Sequence, residues 1–188
     1  MKTISNIAVL ASGTGTTLQT LINEQSQHGY RVALVITNRT CPAKERAEQA
    51  HIPAIVTKDW EEIDKALMDN HIQLVVLAGF LAIIPDWICA KRDKRIINIH
   101  PSLLPKHGGK GMYGIRVQES VLAAGDTEAG CTVHYVSAEV DGGSIIAQAT
   151  VPVLPNDTPD TLSARVKQVE KRLLPRTIAD IMQKVNCK

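Results

Sequence analysis

Two polar residues in one short segment have the types and the spacing for chemistry on an acyl group. Asn98 and His100 are two apart, and in an extended chain such residues point to the same side. An amide N–H can stabilise a developing oxyanion, and an imidazole can donate or accept a proton. A single histidine at the end of a strand is more often structural. The prediction of an acyl-transfer centre therefore needs a further group.

Asp141, followed by Gly142 and Gly143, is the candidate for that group. It lies in a polar turn between two extended segments. A carboxylate beside His100 would accept a hydrogen bond, raise the pKa of the imidazole and favour the imidazolium form. The two glycines would leave space for a substrate. The contact between Asp141 and His100 is thus an expectation for the structure.

A glycine-rich turn, Ser12-Gly13-Thr14-Gly15-Thr16-Thr17, follows the first predicted strand and opens the first predicted helix. Glycines allow close approach of an anion, and a helix N-terminus offers free N–H groups and the positive end of its dipole. Leu18 and Asn38 stand where a dinucleotide site needs a glycine and an acidic residue. The segment predicts either a phosphate site or a tight turn without a ligand, and its place at the carboxyl end of a strand favours phosphate.

The other histidines and the cysteines do not predict a metal or redox site. No two histidines have metal-ligand spacing, and no Cys-x-x-Cys pair occurs. His107 lies in a glycine-rich loop, 106–114, which we treat as a candidate lid. His134 is expected to be packed or hydrogen-bonded within a strand. Surface positions are expected for the remaining three, His28, His51 and His71.

The composition excludes several classes of protein. A chain of 188 residues with 44% apolar residues can form one domain with a substantial core. The net charge is +2, without the basic stripe of a nucleic-acid binder, and we interpret the basic cluster at 91–95 as a solvated helix end and loop. The longest apolar stretch, 74–84, is about half the length of a spanning helix, and no secretion signal occurs. We expect a cytoplasmic protein without nucleic-acid or membrane partners.

Alternating strand and helix patterns predict the fold. Strands are predicted at Ile4–Leu10, Arg31–Thr37, Leu74–Ala78 and Ile96–Ile99, with helices after Gly15, at Pro42–Ala50 and at Glu61–Asn70. This rhythm is typical of a Rossmann-like α/β domain, whose sheet is mostly parallel with helices on both faces.

The pattern changes in the last third of the chain. Two extended segments, Cys131–Val136 and Ser144–Val153, predict an antiparallel last strand region. A final helix is predicted from Thr158 towards Gln183, with a kink or break at Pro175. We interpret residues 1–188 as a single domain.

Four motifs occur in the order found in one enzyme family. They are Ser12-Gly13-x-Gly15, Leu77-Ala78-Gly79-Phe80, Asn98-Ile99-His100-Pro101-Ser102-Leu103-Leu104-Pro105 and Asp141-Gly142-Gly143. Over nearly its whole length the chain resembles the phosphoribosylglycinamide formyltransferase family. The resemblance implies a phosphoribosyl-binding N-terminal half and a folate-binding, catalytic C-terminal half. It also implies that the glycinamide amine attacks the formyl carbon of 10-formyltetrahydrofolate, the co-substrate, with no metal involved.

The resemblance implies roles for individual residues. Asn98 and His100 would stabilise the oxyanion, with His100 as proton donor, and Asp141 would raise the pKa of His100 and shuttle protons through water. The ribotide would be held by Gly15, Thr16 and Thr17 and by a turn formed of Lys167, Gln168, Val169 and Glu170, with Glu170 accepting ribose hydroxyl protons. The folate pocket would be lined by Leu81, Ala82, Ile83, Ile84, Asn98, Ser137, Ala138, Glu139, Val140 and Asp141.

The chain departs from the family pattern near the folate. Leu81-Ala82 replaces the common Met-Arg, and the segment 58–62, where an arginine for the glutamyl tail is often found, looks shortened. Lys58 and Lys106 are alternative cations for that contact. Thr16-Thr17 replaces the usual Ser-Asn, which keeps a hydroxyl donor at position 16.

Three other functions compete with ribotide formylation. A formyltetrahydrofolate hydrolase would use water as acceptor and usually carries an extra N-terminal domain, whereas this chain begins at its first strand. Formylation of initiator methionyl-tRNA normally needs an added C-terminal domain. A phosphate-binding module without catalysis would leave Asn98, His100 and Asp141 unexplained. We expect an enzyme that binds small molecules as a monomer or weak homodimer.

Overall fold

The computed structural model describes residues 4–186, which form a seven-stranded sheet and six helices. The strands are β1 (Ser5–Ala11), β2 (Tyr30–Thr37), β3 (Ala54–Val56), β4 (Leu74–Leu77), β5 (Ile96–His100), β6 (Glu128–Tyr135) and β7 (Ile145–Pro152). The helices are α1 (Thr16–His28), α2 (Pro42–Gln49), α3 (Trp60–Asp69), α4 (Asp86–Lys91), α5 (Ile115–Ala123) and α6 (Pro159–Asn186).

The sheet has the order β3-β2-β1-β4-β5-β6-β7. The five strands from β3 to β5 are parallel, and β6 runs antiparallel to both β5 and β7. The predicted Rossmann-like, mostly parallel sheet with an antiparallel last region is therefore confirmed. From β1 the chain first adds β2 and β3 on one side of β1, and it then crosses to the other side of β1 to add β4 and the later strands.

Two hydrophobic cores cover the two faces of the sheet. In β1, Ile7 and Val9 enter one core while Ala8 and Leu10 enter the other. The first core also contains residues of α1, α2, α5 and α6, and the second contains residues of α3 and α4. Strands buried on both faces are nearly continuous apolar runs, which is why the sequence shows them so clearly.

Three short elements are absent from the sequence-based prediction. The strand β3 has three residues, and the helix α4 has six. Neither is long enough to show a strand or helix period. The nine-residue helix α5 buries Val117 and Val121 but also Gln118, so its apolar stripe is interrupted.

The final helix begins where it was predicted and does not break. Thr158 precedes α6, and its hydroxyl oxygen accepts from the Thr161 N–H at 3.3 Å, which caps the first turn. The helix continues through Pro175, so the expected break does not occur. Leu174 and Ile178, on either side of the proline, are both buried in the first core, and this packing holds the two halves of α6 together.

The basic cluster at 91–95 is only partly solvated, which corrects the expectation from the sequence. Lys91 and Arg92 donate to the carboxylate of the buried Asp64, at 2.6 and 2.7 Å, and the Arg92 side chain is only 10% exposed. Burial alone would raise the pKa of Asp64, but the two cations hold it below its ordinary value. Lys94 and Arg95 are exposed as expected.

Candidate active site

The carboxyl ends of β1 and β4 form the point where the strand order reverses, and two loops meet there. The Ser12 N–H donates to the Gly79 carbonyl at 3.1 Å, and the Leu81 N–H donates to Ser12 Oγ at 3.0 Å. The glycine turn after β1 is thereby joined to the loop after β4. Ligands of open α/β sheets bind at such a switch point.

A cavity of about 720 Å³ opens at this edge of the sheet. Its volume is in the range of small-molecule sites. It is lined by the glycine turn, the loop after β4, the end of β5, the glycine loop before α5, the turn after β6 and one face of α6. The lining residues are 13–17, 77–84, 98–101, 109–115 and 136–141, with His134, Asp160, Ser163, Val166, Lys167 and Glu170. Most residues predicted for the site, though not all, line this one cavity.

Asn98 lies in the middle of β5, two residues before the strand ends, and is oriented by a histidine that was not predicted as functional. Asn98 Nδ2 is 3.1 Å from His134 Nε2, and His134 Nδ1 is 2.9 Å from the Tyr135 carbonyl. Because Nδ1 faces a carbonyl, it carries the proton of the neutral ring, and Nε2 accepts from the Asn98 amide. The second amide hydrogen of Asn98 remains available to an acceptor in the cavity.

His134 was expected only to be packed or hydrogen-bonded, and it is both. It lies directly opposite Asn98 in the β5–β6 pairing, which places it in the cavity wall. The only signal in the sequence is a histidine within a mostly apolar strand. Its part in the site depends on strand register, which a single sequence does not reveal.

His100 is almost fully buried, and its two ring nitrogens have different partners. Its exposed fraction is 4%. Nε2 lies 2.9 Å from the His107 carbonyl and Nδ1 lies 3.5 Å from Asp141 Oδ2. Since a carbonyl can only accept, Nε2 carries a proton and donates it, and Nδ1 is the nitrogen that faces the carboxylate.

The predicted contact between His100 and Asp141 is therefore present, and the Asp141 charge acts on the pKa of His100 in the predicted upward direction, but the net shift of that pKa is downward. Burial lowers the pKa of His100 below its ordinary value, and this effect exceeds the opposing effects of the His107 carbonyl and the Asp141 charge. The physical reason is that a ring so far from water loses the hydration that stabilises imidazolium. The sequence did not indicate how deeply His100 is buried.

Asp141 lies between two imidazoles and a backbone donor. Its Oδ1 is 3.6 Å from His134 Nε2, and its Oδ2 accepts from the Gly109 N–H at 2.9 Å. Burial alone would raise the pKa of Asp141, but His134, His100 and the Gly109 N–H together hold it below its ordinary value. The carboxylate is thus kept ionised. Its backbone has φ 56°, a strained left-handed conformation for a non-glycine residue.

Gly142 and Gly143 do not leave space for a substrate, which corrects the expectation. A Cβ on Gly143 would lie 1.7 Å from the Tyr135 carbonyl oxygen, and one on Gly142 would lie 2.5 Å from the Glu139 carboxylate. Neither glycine lines the cavity. These glycines allow the turn to pack closely against the end of β6, and so they position Asp141.

The glycine turn has the geometry expected of an anion site. Gly15, with φ 71°, precedes α1, and a Cβ there would lie 2.7 Å from the Ala43 Cα, so only glycine fits. Thr16 and Thr17 form the first turn of α1 and line the cavity, and this first turn has no acidic residue. The N–H groups of the helix start are therefore available to a phosphate.

The segment 167–170, predicted to be a turn, is part of the helix α6. Its residues therefore point to different sides of the helix, and only some of them reach the cavity. Lys167 and Glu170 are three apart, lie on one helix face and line the cavity. Gln168 is exposed and Val169 packs against the first core, so neither lines the cavity. Burial raises the pKa of Glu170 to about 7, and the charge of Lys167 opposes this shift.

The residues predicted for the folate pocket all line the cavity. Leu81 and Ile83 are 55% and 68% exposed, so this wall offers apolar surface. Among the lining residues, only Lys110 and Lys167 are lysine or arginine. The alternative cations, Lys58 and Lys106, do not line the cavity, and Lys106 donates to Asp126 at 3.1 Å.

The loop 106–114 has two parts. His107 is hydrogen-bonded through its ring, whereas Gly109 to Gly114 line the cavity and include three glycines with positive φ. Closure of this second part over a substrate stays a prediction. Among residues 4–186 no cluster of three metal-binding side chains occurs, and within the same range no helix is long and apolar enough to span a membrane.

Comparison with known proteins identifies the family. The sequence model of the formyl transferase family matches residues 5–178. The chain belongs to the formyl transferase family. This formyl transferase is 38% identical over 187 residues to the phosphoribosylglycinamide formyltransferase of Haemophilus influenzae, covering 93% of this chain and 86% of that protein. It is 41% identical to the trifunctional purine biosynthetic protein adenosine-3 of Drosophila melanogaster, but spans only 14% of that protein's length.

Solved structures agree with the sequence relatives. The crystal structure of phosphoribosylglycinamide formyltransferase from Anaplasma phagocytophilum has a TM-score of 0.89 and 37% identity, covering 96% of this formyl transferase and 88% of that chain. A formyltetrahydrofolate deformylase from Pseudomonas syringae has a TM-score of 0.85 at 25% identity, and 62% of that chain is covered. The fold is thus shared by proteins named for formyl transfer and for deformylation.

Proposed function

We propose that this chain transfers the formyl group of 10-formyltetrahydrofolate to the amine of 5′-phosphoribosylglycinamide, a step of purine biosynthesis. The products are formylglycinamide ribonucleotide and tetrahydrofolate. The observation that carries the proposal is the cluster of Asn98, His100 and Asp141 in a cavity that the glycine turn also lines. The names of the relatives that match most of this chain support the choice of ribotide as acceptor.

The ribotide would lie between the glycine turn and α6. Its phosphate would accept from the N–H groups at the start of α1 and from the hydroxyls of Thr16 and Thr17. Glu170, on the opposite wall, would accept from ribose hydroxyls, and Lys167 would balance the phosphate charge. This arrangement would direct the glycinamide amine towards the end of β5.

The folate would lie against the apolar wall at Leu81–Ile84 and the turn at Ser137–Asp141. Its formyl oxygen would then face the free amide hydrogen of Asn98 and the Nδ1 side of His100. Leu81 and Ile83 would contact the ring systems, and no guanidinium is present at Ala82. Binding of the folate would therefore depend more on apolar contact than on charge.

The reaction would proceed by addition and elimination. The amine nitrogen attacks the formyl carbon, and the C=O pair moves onto oxygen to give a tetrahedral oxyanion. The amide of Asn98 and the imidazolium of His100 stabilise this charge. The attacking nitrogen then loses a proton, N10 of the folate gains one, and the bond from carbon to N10 breaks. The ionised Asp141 stabilises the imidazolium and relays protons through water.

The decisive measurement is formyl transfer by the purified full chain. The ribotide, the folate and the protein are mixed. The tetrahydrofolate product is followed by absorbance, and the formylated ribotide is separated and measured by chromatography. We expect transfer that requires both substrates. Absence of transfer, with the folate shown to be active by a known formyltransferase, would overturn the proposal.

The same assay separates the alternatives. Release of formate without ribotide would indicate a hydrolase, which the likeness to a deformylase makes the second candidate. Calorimetry that shows ribotide binding without turnover would indicate a binding module. A cytoplasmic location, activity as a monomer or weak homodimer, and the absence of nucleic-acid or membrane partners stay predictions, and analytical ultracentrifugation tests the oligomeric state.

A further inference from the structure

The side chain of His107 is held by two hydrogen bonds, although the reaction above does not use it. Its Nδ1 lies 2.8 Å from Ser120 Oγ, and its Nε2 lies 3.0 Å from Asp126 Oδ2. Ser120 is in α5, and Asp126 is in the turn that follows α5. Because Nε2 faces a carboxylate it carries the proton, and Nδ1 accepts from the Ser120 hydroxyl. The ring is thus fixed to α5 and to the turn after it.

The backbone of His107 connects this fixed ring to the catalytic histidine. Its carbonyl accepts from His100 Nε2 at 2.9 Å and lies 3.4 Å from Ser102 Oγ, whose hydroxyl donates to the neighbouring Lys106 carbonyl at 2.7 Å. The residue has φ 54°, in the left-handed region that is unfavourable for a residue with a side chain. The two hydrogen bonds of the ring offset this strain. Without these two hydrogen bonds, the His107 backbone would be less constrained, and its carbonyl would be held less firmly within hydrogen-bond distance of His100 Nε2.

We propose that His107 is a positioning residue for His100. Its ring, clamped by Ser120 and Asp126, holds its own carbonyl where the carbonyl accepts the Nε2 proton of His100. The Nδ1 atom of His100 is then the nitrogen that faces Asp141. For its meaning in catalysis this inference rests on the proposed formyl transfer, but the clamp itself is a feature of the structure that can be tested without turnover.

The charged and titratable groups around the two histidines determine the direction of the effect. His100 is faced by Asp141 from the turn after β6, by His134 from β6 and by His107 from its own loop. The His107 ring is faced by Asp126, which also accepts from Lys106. The carbonyl of His107 stabilises the imidazolium of His100, so its displacement would lower the pKa of His100 further.

The first test is His107→Phe, which keeps a ring of similar size and removes both ring hydrogen bonds. We expect kcat to fall roughly two- to tenfold, as for the loss of one ordinary hydrogen bond, with KM changed less than about twofold. The imidazolium form donates the proton, so activity is lost as pH rises through the pKa of His100. The basic limb of the kcat profile should therefore move to lower pH in H107F.

The matched control is His51→Phe. His51 also has positive φ, 56°, but is exposed and does not line the cavity. The same substitution in the same backbone conformation should leave kcat and the pH profile unchanged. An equal loss in H51F and H107F would mean that the effect is a general cost of this substitution, and it would overturn the proposal.

The second test reads the proton on His100 directly. Nitrogen-15 NMR of the full chain should show His100 protonated on Nε2, and H107F should show a mixture of the two tautomers. Should H107F not fold, Asp126→Asn carries the test, with a smaller shift in the same direction because an amide oxygen is a weaker acceptor. The proposal is overturned if H107F or D126N keeps the parental Nε2 tautomer, even with reduced kcat. A parent without formyl transfer would defeat the proposed function, while a tautomer shift in the variants would still support the clamp.

Discussion

Burial and hydrogen bonding, more than net charge, determine the proton affinities in the site. His100 is kept from water, so its imidazolium is disfavoured, while the pKa of Asp141 is held down by the Gly109 N–H and by the two neighbouring imidazoles, so Asp141 keeps its negative charge. A histidine of lowered pKa beside a fixed carboxylate gives up a proton readily once it has one. The residue types and their order in the sequence predicted Asn98, His100 and Asp141. Neither the direction of the His100 shift nor the part of His134 could be predicted, because both depend on depth and register.

Replacement of the site carboxylate should affect turnover far more than folding. In Asp141→Asn the side chain keeps its size and an oxygen that can accept from Gly109, but it can no longer stabilise imidazolium. We expect kcat to fall roughly 10²–10³-fold. Steady-state kinetics measure this change, and circular dichroism checks the fold. Asp86→Asn, at an exposed aspartate that starts α4, is the control and should be fully active. Retention of most activity by D141N would contradict the proposed mechanism.

The raised pKa of Glu170 predicts a pH dependence of stability. Its pKa is about 7 in the folded chain, so between its ordinary value and pH 7 the folded state binds more protons than the unfolded state. The free energy of unfolding should therefore fall as pH rises through this window, by at most about 3 kcal/mol. Urea unfolding of the parent and of Glu170→Gln at several pH values measures the difference. Equal pH dependence in the two proteins would show that Glu170 does not carry the effect.

Helical periodicity explains which residues of one element reach the cavity. On α6, Lys167 and Glu170 lie on the helix face that lines the cavity, while Val169 packs against the first core. The long periodic elements could be predicted because each presents an apolar stripe or alternation. The elements β3 and α4 could not, since three and six residues span fewer than two full repeats of the strand or helix period. Of the kink or break predicted at Pro175, the break does not occur, and Leu174 and Ile178 beside the proline are buried in the first core.

The glycine before α1 allows a test with a close control. Gly15 and Gly29 flank the same helix and share φ 71°, but a Cβ on Gly15 would meet the Ala43 Cα at 2.7 Å, while one on Gly29 would meet nothing within 4 Å. Gly29→Ala should lose about 1 kcal/mol of stability from backbone strain alone. Gly15→Ala should lose about 2–4 kcal/mol, because the clash adds to the strain. Its KM for the ribotide should also rise, which kinetics and urea unfolding together measure. Equal losses in both variants would rule out the clash.

On the scale of the whole molecule, the reversal of strand order brings residues from all parts of the chain to one edge of the sheet. The loops after β1 and β4 are joined by the hydrogen bonds of Ser12. The helix α6, which packs in the first core, forms one wall of the cavity. The alternation of strands and helices in the sequence predicts such a sheet. The distances across it, and therefore the shape of the cavity, come only from packing.

Ligand binding should be visible as stabilisation of the whole fold. A ribotide at about 100 times its dissociation constant stabilises the native state by about 2.7 kcal/mol. For a domain of this size that corresponds to a rise in Tm of roughly 5–10 °C. Differential scanning calorimetry measures the rise, and ribose 5-phosphate in place of the ribotide indicates how much of it the phosphate and sugar provide. No rise in Tm with the ribotide at this concentration would contradict a binding site in this cavity.

The pairing of Asn98 with His134 across β5 and β6 makes catalysis dependent on a single alignment of two strands. A slip of one residue would turn every side chain of β6 to the opposite face, so His134 would point away from the cavity and an apolar neighbour would take its place. A misaligned protein could therefore be folded, compact and inactive. Refolding yields measured by turnover would then be lower than yields measured by fluorescence, and the difference between them would report the fraction of chains with the wrong alignment.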